Sequence, residues 1–447
     1  MKKRKFWALL SLSVLIAFAL SLSGCGIFTV PKADNSFPFD AAVENGYPGT
    51  RSDWLASQDT PSTLYRRLYE EALLDGSFSG TYFEFLLQLG LKEDDTPAIN
   101  SALCSAVSIE CYYQDTNGQA GSGIVWSVDK AAGDAYIVTN YHVLYNSAAK
   151  KPLSTSIYVW MYGEKVSSRA MLAQYVGGTM EYDIAVLFID GDTQVRDTLS
   201  NTHTNAEVIQ NSSVTAATFA DSDSITLGER VYAVGNPAGQ GLSAVSGIVS
   251  VDLEYISVWT ADGSKVVSMP EIRTDASINH GNSGGGLFNS MGEVVGLVNA
   301  RSEADGVVGF GYAIPANVVS AVVNNLFDND GSLLCARLGL TLEVADSLSV
   351  FDEKTGKIYI EEKVIAGSVS LGAAYSAGIR GTDTILSATL KSQTGENTVA
   401  VTRKQKLLTL LFDVRQGDTL TLTVSRNGKL QDIDVNFSSS SDFTKIA

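Results

Sequence analysis

Thr139-Asn140-Tyr141-His142-Val143, Glu181-Tyr182-Asp183-Ile184-Ala185-Val186 and Gly281-Asn282-Ser283-Gly284-Gly285-Gly286 decide how this 447-residue chain reads. Each sets one member of a His, Asp, Ser group beside a run with strand character. His142 directly follows the apolar run Ala135-Tyr136-Ile137-Val138, and the chain holds only two other histidines, His203 and His280. A serine hydroxyl is a weak nucleophile at neutral pH and needs a base to take its proton as it attacks. Imidazole suits that task, and a buried carboxylate fixes its tautomer and stabilises the imidazolium that forms. The glycines around Ser283 allow backbone N–H groups to approach a developing oxyanion with no Cβ in the way. Those donors are assigned to Gly281 and Ser283.

The order His, Asp, Ser is that of chymotrypsin-type enzymes; subtilisin-type and α/β-hydrolase enzymes use other orders. Further segments narrow the reading: Gly121-Ser122-Gly123-Ile124, Val234-Gly235-Asn236-Pro237, Ser246-Gly247-Ile248-Val249-Ser250, Thr274-Asp275-Ala276-Ser277-Ile278-Asn279 and Gly311-Tyr312-Ala313-Ile314-Pro315. Together with the His142 segment they resemble the HtrA (Deg) family of trypsin-like serine proteases, over roughly residues 105 to 325 and again in the C-terminal part. The resemblance implies His142 as general base, Asp183 as its orienting carboxylate and Ser283 as nucleophile. Asn282 stands where zymogen-activated relatives carry an Asp that pairs with a new N-terminus, so no activating cleavage is expected. Ile278 takes the place of an apolar S1 wall favouring small or branched aliphatic P1 side chains. Leu297, Val298, Asn299 and Ala300 are expected to pair with the substrate backbone, with residues 301–308 as the neighbouring specificity loop. His280 reads as a solvent-facing loop residue, and His203 as a loop residue in a polar stretch. The sequence has no His-Glu-x-x-His and no paired short cysteine spacing, so neither metal nor cofactor is expected. A nucleotide-binding reading of Gly121-Ser122-Gly123 or Gly284-Gly285-Gly286 fails because no Lys-Ser/Thr follows.

The first residues set the expected compartment. Lys2-Lys3-Arg4-Lys5 precedes an apolar run from Phe6 to about Leu22, an export signal. Leu22-Ser23-Gly24-Cys25 resembles a bacterial lipobox, which implies cleavage before Cys25 and lipidation of its sulfur. The formal net charge is −17; leaving out residues 1–24 removes four basic side chains and gives −21. Such an acidic surface is repelled by nucleic acid. Beyond Cys25 the chain keeps Cys104, Cys111 and Cys335, expected to be buried or unpaired.

Domain organisation reads as signal peptide 1–24, tether 25–35, a helical two-copy repeat 36–100, a trypsin-like protease domain 101–330, a PDZ-like domain 331–437 and a frayed tail 438–447. In the repeat, Phe39–Gly46 matches Tyr69–Gly76, and Gly49-Thr50 with Trp54-Leu55 matches Gly80-Thr81 with Phe85-Leu86. Each copy reads as a helix stopped by Gly and then a Thr-capped helix, its last aromatic packing back on the apolar face. The protease segment reads all-β, with helical periodicity only over 316–327 and a linker at 328–332; the resemblance implies a double barrel that this helix closes. Arg337-Leu338-Gly339-Leu340 opens the region that resembles an HtrA-type PDZ domain; Leu338, Gly339 and Leu340 match its carboxylate loop, and Thr382 replaces its usual Gly.

The implied activity is a lipid-anchored, extracytoplasmic serine endopeptidase that takes unfolded polypeptides and protein C-termini and assembles as a trimer or a multiple of one. The alternative is a non-catalytic peptide-binding or chaperone lipoprotein, and no triad substitution supports it.

Overall fold

The structure is a computed structural model that describes residues 95–164, 169–196, 202–299, 309–352, 356–370, 372–393 and 395–446. Before them it describes Tyr69, residues 72–74, residues 76–79 and Phe85. Cys25, its lipobox and the first repeat copy lie outside the described residues. The chain divides into two compact units at Pro97/Ala98.

In the first unit, residues 72–74 are helical and the Gly76 N–H bonds to the Leu73 carbonyl at 3.3 Å. Gly76 has φ 69°, a left-handed helix stop. Tyr69, Phe78 and Phe85 pack with Ala72, ring centroids 5.4 to 6.0 Å apart, so the last aromatic of this copy does fold back on its apolar face.

The second unit begins with two closed six-stranded antiparallel barrels. The first contains β1 (Ala106–Tyr112), β2 (Gln119–Asp129), β3 (Asp134–Thr139), β4 (Ser156–Met161), β5 (Met171–Thr179) and β6 (Ile184–Ile189). The second contains β9 (Arg230–Gly235), β10 (Ser243–Trp259), β11 (Val266–Thr274), β12 (Gly286–Asn289), β13 (Val294–Asn299) and β14 (Gly311–Pro315). Closure removes the unpaired edges that an open sheet would expose. The expected mainly β, trypsin-like double barrel is what the chain forms.

Short helices mark the connections: α1 (Thr96–Cys104), α2 (Tyr141–Leu144), α3 (Asn205–Gln210) and α4 (Ala316–Asp328). Val318, Val319, Val322, Val323 and Leu326 of α4 are fully buried in one cluster with Ile184 of the first barrel and Val234, Leu297 and Ile314 of the second. That face fixes the two barrels relative to each other. His203 corrects an expectation: it lies on β8 (Thr202–Thr204), paired with β7 (Gln194–Arg196), with Nε2 2.8 Å from the Ala170 carbonyl. Thr204 and Glu207 then form a capping box for α3. The presumed linker is also no free tether. Its Gly331 carbonyl accepts from the Gly178 N–H at 3.3 Å, and β15 (Leu333–Ala336) starts two residues later.

The C-terminal part is a six-stranded sheet in the order β16-β17-β18-β20-β21, with β19 also on β18. These strands are β16 (Leu340–Asp352), β17 (Lys357–Val369), β18 (Thr384–Ser392), β19 (Gly395–Ala400), β20 (Thr419–Arg426) and β21 (Lys429–Asn436). Leu420, Leu422 and Val424 of β20 are fully buried while the alternate residues face outward, the period of a half-buried strand. Helices α5 (Ala373–Ala377) and α6 (Lys404–Leu410) complete this part. The predicted frayed tail is instead ordered: β22 (Phe443–Ile446) pairs with β15, and Ser439 caps the turn before it.

This sheet is tied to the barrels. Phe412 is buried and its ring meets Tyr182 edge-on at 5.1 Å; its carbonyl accepts from Asn325 Nδ2 at 2.6 Å. Arg403 pairs with Asp252 at 2.7 Å, Lys357 with Glu229 at 2.8 Å, and Tyr255 Oη donates to Gln405 Oε1 at 2.8 Å. Cys104, Cys111 and Cys335 form no disulfide. Burial raises all three thiols, Cys111 and Cys335 to about 12, which favours their protonated form.

Two stability predictions follow from this architecture. Phe412→Ala should lower the unfolding free energy by about 3–5 kcal/mol, through the lost ring and the cavity it leaves, measured by urea denaturation. Thr382 sits at φ 74°, strained for a β-branched residue, so Thr382→Gly should stabilise the protein by up to about 1 kcal/mol net of the extra chain entropy, read as a raised urea midpoint.

Candidate active site

His142 is on the single turn of α2, directly after β3, and Asp183 ends the turn that leads into β6. β3 and β6 are neighbours, paired from Ala135↔Ile189 to Thr139↔Ala185, so the two side chains arrive at the same end of one ladder. Both oxygens of the buried Asp183 carboxylate are used on His142: Oδ1 accepts from the backbone N–H at 2.9 Å, and Oδ2 lies 2.6 Å from Nδ1. A carboxylate only accepts, so Nδ1 carries the hydrogen and Nε2 is left with its lone pair. Asp183 holds φ 52°, a left-handed conformation that costs roughly 1–2 kcal/mol in a non-glycine residue. Its carbonyl is meanwhile fixed by Tyr141 N–H at 3.1 Å and Asn140 Nδ2 at 2.9 Å. The strain is thus held by bonds to the segment that carries His142.

Ser283 is buried in the loop between β11 and β12. Gly121 and Ser122 of β2 lie between this loop and the His142 segment. Ser122 N–H donates to the Ser283 carbonyl at 2.8 Å, and the Ser122 carbonyl accepts from Thr139 Oγ1 at 2.7 Å. A Cβ on Gly121 would stand 2.5 Å from Val143 Cγ1 and 3.2 Å from the Ser283 carbonyl. At Gly284, with φ 81°, it would meet Thr139 Oγ1 at 2.2 Å. The sequence therefore brings the His142, Asp183 and Ser283 segments to one place, and the glycines are what allow the approach.

The peptides beside the expected oxyanion donors are anchored. The His280 carbonyl accepts from Ala238 N–H at 2.8 Å, and the Asn282 carbonyl accepts from Gly285 N–H at 2.9 Å. In a trans peptide the N–H points opposite to the C=O, so the Gly281 and Ser283 N–H groups are directed away from those anchors. Gly281 has φ 99°, a conformation that a side chain would strain. His280 itself is exposed. Ile278 is half-buried and covers Gly311, where a Cβ would lie 2.3 Å from Ile278 Cδ1.

The expected substrate-pairing residues divide. Leu297, Val298 and Asn299 are fully buried, and the backbones of Leu297 and Val298 are paired on both sides. Val298 exchanges bonds with Gly284 and Gly285 at 2.9 and 2.8 Å, and Leu297 and Asn299 pair with Ile314 and Tyr312. Leu297 and Val298 therefore offer no free edge to a substrate, whereas the β12 ladder stops at Leu297, before Asn299. Asn299 turns its side chain inward to buried Glu271 at 3.1 Å. Ala300 and residues 301–308 lie outside the described residues. Sequence reasoning also missed Ser122 and Asn236, whose only signal was their place in glycine-containing motifs. In the C-terminal part, the Leu338 and Gly339 carbonyls accept from Ala374 and Ser370 N–H at 3.0 and 2.8 Å, and β16, which follows, is the outer strand of its sheet.

Residues 121–297 match the family model described as a trypsin-like peptidase domain. The chain is 33% identical over 330 residues to the Serine protease Do-like HtrA of Lactococcus lactis subsp. cremoris, covering 72% of this chain and 71% of that protein. It is 30% identical over 362 residues to the Serine protease Do-like HtrA of Bacillus subtilis, covering 76% and 70%. It is 30% identical over 336 residues to the Periplasmic pH-dependent serine endoprotease DegQ of Escherichia coli, covering 73% and 61%. Among solved structures, the HtrA-type protease AlgW with tripeptide aligns with 79% of this chain and 98% of its own, at 23% identity and a TM-score of 0.49. The closed barrels, the His142–Asp183 pair beside the Ser283 loop and the sequence similarity to the Lactococcus and Bacillus relatives lead to one conclusion: the chain belongs to the HtrA family of serine proteases and is a serine endopeptidase of trypsin-like fold.

Proposed function

We propose that His142, Asp183 and Ser283 are the catalytic triad of this protease. The observation that carries the reading is the use of both Asp183 oxygens on His142, which leaves Nε2 as the ring's proton acceptor. Ser283 Oγ attacks the scissile carbonyl carbon while its proton passes to His142 Nε2. The Gly281 and Ser283 N–H groups hold the resulting oxyanion. The tetrahedral intermediate collapses as the imidazolium gives its proton to the leaving amine, and water repeats the sequence to release the acid and restore Ser283. Asn282 cannot form the ion pair of a zymogen-activated enzyme, so the loop is set without activating cleavage.

Ile278 over Gly311 narrows the S1 pocket to small or branched aliphatic side chains. The substrates on this reading are unfolded or misfolded polypeptides outside the cytoplasm. The basic-then-apolar N-terminus supports export, Cys25 is the proposed lipid anchor to the bacterial cell membrane, and one relative carries periplasmic in its name. Residues 331–437 act as a PDZ-like module that takes protein C-termini along the outer edge of β16. Residues 36–100 act as a helical spacer, and the protein works as a homo-oligomer, a trimer or a multiple of one.

Hydrolysis of unfolded casein tests the catalytic assignment. Ser283→Ala should reduce turnover by about a million-fold, and cleavage that persists in the variant contradicts it. Mapped cut sites should show Val, Ile or Ala at P1. Ile278→Ala should move the preference towards larger apolar side chains by about 10-fold in kcat/KM, whereas cleavage after Lys or Arg would contradict the pocket assignment.

A further inference from the structure

Ser122 belongs to a glycine-containing motif to which the catalytic reading gives no role, yet it is fully buried and four hydrogen bonds converge on it. Its Oγ donates to the Gly281 carbonyl at 2.7 Å and accepts from the Asn236 N–H at 2.7 Å. Its N–H donates to the Ser283 carbonyl at 2.8 Å, and its carbonyl accepts from Thr139 Oγ1 at 2.7 Å. The four partners come from three places: the nucleophile loop, the segment after β9, and the end of β3 three residues before His142. One side-chain atom that donates and accepts at once is a property of hydroxyls. Gly235 leaves the room this Oγ occupies, because a Cβ there would stand 3.0 Å from it.

We propose that Ser122 is a positioning residue that pre-forms the oxyanion hole from the opposite barrel. The Gly281–Asn282 peptide separates the two oxyanion donors. Its carbonyl is fixed by Ser122 Oγ and its N–H by the Asn279 carbonyl at 3.0 Å. The same hydroxyl pins Asn236, two residues before the Ala238 N–H that anchors the His280 carbonyl and so sets the Gly281 N–H. Both peptides that set the Gly281 donor thus refer back to one hydroxyl on β2. Ser122→Ala leaves the Gly281 carbonyl and the Asn236 N–H without their shared partner, and the loop is released towards conformations in which its donors no longer converge.

The inference rests on the reading of Ser283 as nucleophile with Gly281 and Ser283 as oxyanion donors, so two arms test it separately. In the full-length protein, hydrogen exchange of peptides spanning 279–285 reads the clamp itself. Turnover of a peptide substrate, normalised by titration with a serine-reactive phosphonate, reads its consequence. For Ser122→Ala the expected results are faster exchange confined to that loop and the 236–238 segment, and a kcat per titrated site lower by about 10- to 100-fold. That loss falls short of deleting an oxyanion donor outright, about 100- to 1,000-fold. KM should stay within about threefold, and a peptide boronate, which places an oxyanion in the same hole, should weaken in step with kcat/KM. Ser122→Cys, which keeps a weak donor in a similar shape, should fall between Ala and wild type, and it carries the test should Ser122→Ala not fold. Unchanged loop exchange, or a kcat per titrated site within about twofold of wild type, overturns the inference even if the melting temperature drops. A wild type whose turnover does not depend on Ser283 overturns the catalytic reading instead, and the exchange arm then decides alone whether Ser122 holds the loop.

Discussion

The grip of one buried carboxylate on one histidine organises this molecule. Asp183 uses one oxygen on the His142 backbone and the other on its ring, so ring position and main-chain position are fixed by the same group. The carboxylate is out of solvent, where a hydrogen bond is stronger and an unpaired charge is costly. That setting explains why a left-handed Asp is tolerated. The carbonyl of Asp183 bonds to Tyr141 and Asn140, so the strain persists only while the His142 segment stays in place. The β3–β6 ladder supplies the rigid base on which both segments end.

The second half of the site comes from the other barrel, and the architecture serves to hold the halves in register. Helix α4 does this by apolar packing, its valines buried against strands of both barrels at once. The segment Gly121–Ser122 does it by hydrogen bonding between the Ser283 loop and the end of β3. The C-terminal sheet reaches the same region through Phe412 on Tyr182, the residue next to Asp183. Removal of apolar area from water supplies the cohesion, and the polar contacts specify one arrangement.

Much of this was legible in the sequence, for identifiable reasons. The convergence of the His142, Asp183 and Ser283 segments, the proposed triad, was readable because that chemistry demands particular residue types and a strand end demands a particular neighbourhood. The closing helix over 316–327 was readable from its apolar periodicity, and the folded aromatic of the second repeat copy from its spacing to Ala72. The failures share a cause, since they concern pairing that local sequence does not encode. Leu297 and Val298 have strand character, but whether an edge is free depends on β12 and β14, which come from elsewhere in the chain. His203 sits in a polar stretch and is ordered only because β7 lies opposite. The run Ser438-Ser439-Ser440-Ser441 has the composition of a frayed end, yet Ser439 caps a turn and Phe443–Ile446 finds its partner more than 100 residues back in β15. Ser122 escaped notice because a serine between two glycines is indistinguishable, without the fold, from a flexible loop.

The central claim is that Asp183 makes His142 the base by fixing its tautomer, and Asp183→Asn tests it most directly. The amide can occupy the same space, but its oxygen and NH2 no longer compel the Nδ1–H form. The account predicts a fall in kcat of about 10,000-fold at neutral pH, with circular dichroism and urea midpoint close to wild type. A folded Asp183→Asn enzyme retaining kcat within about tenfold of wild type would contradict it.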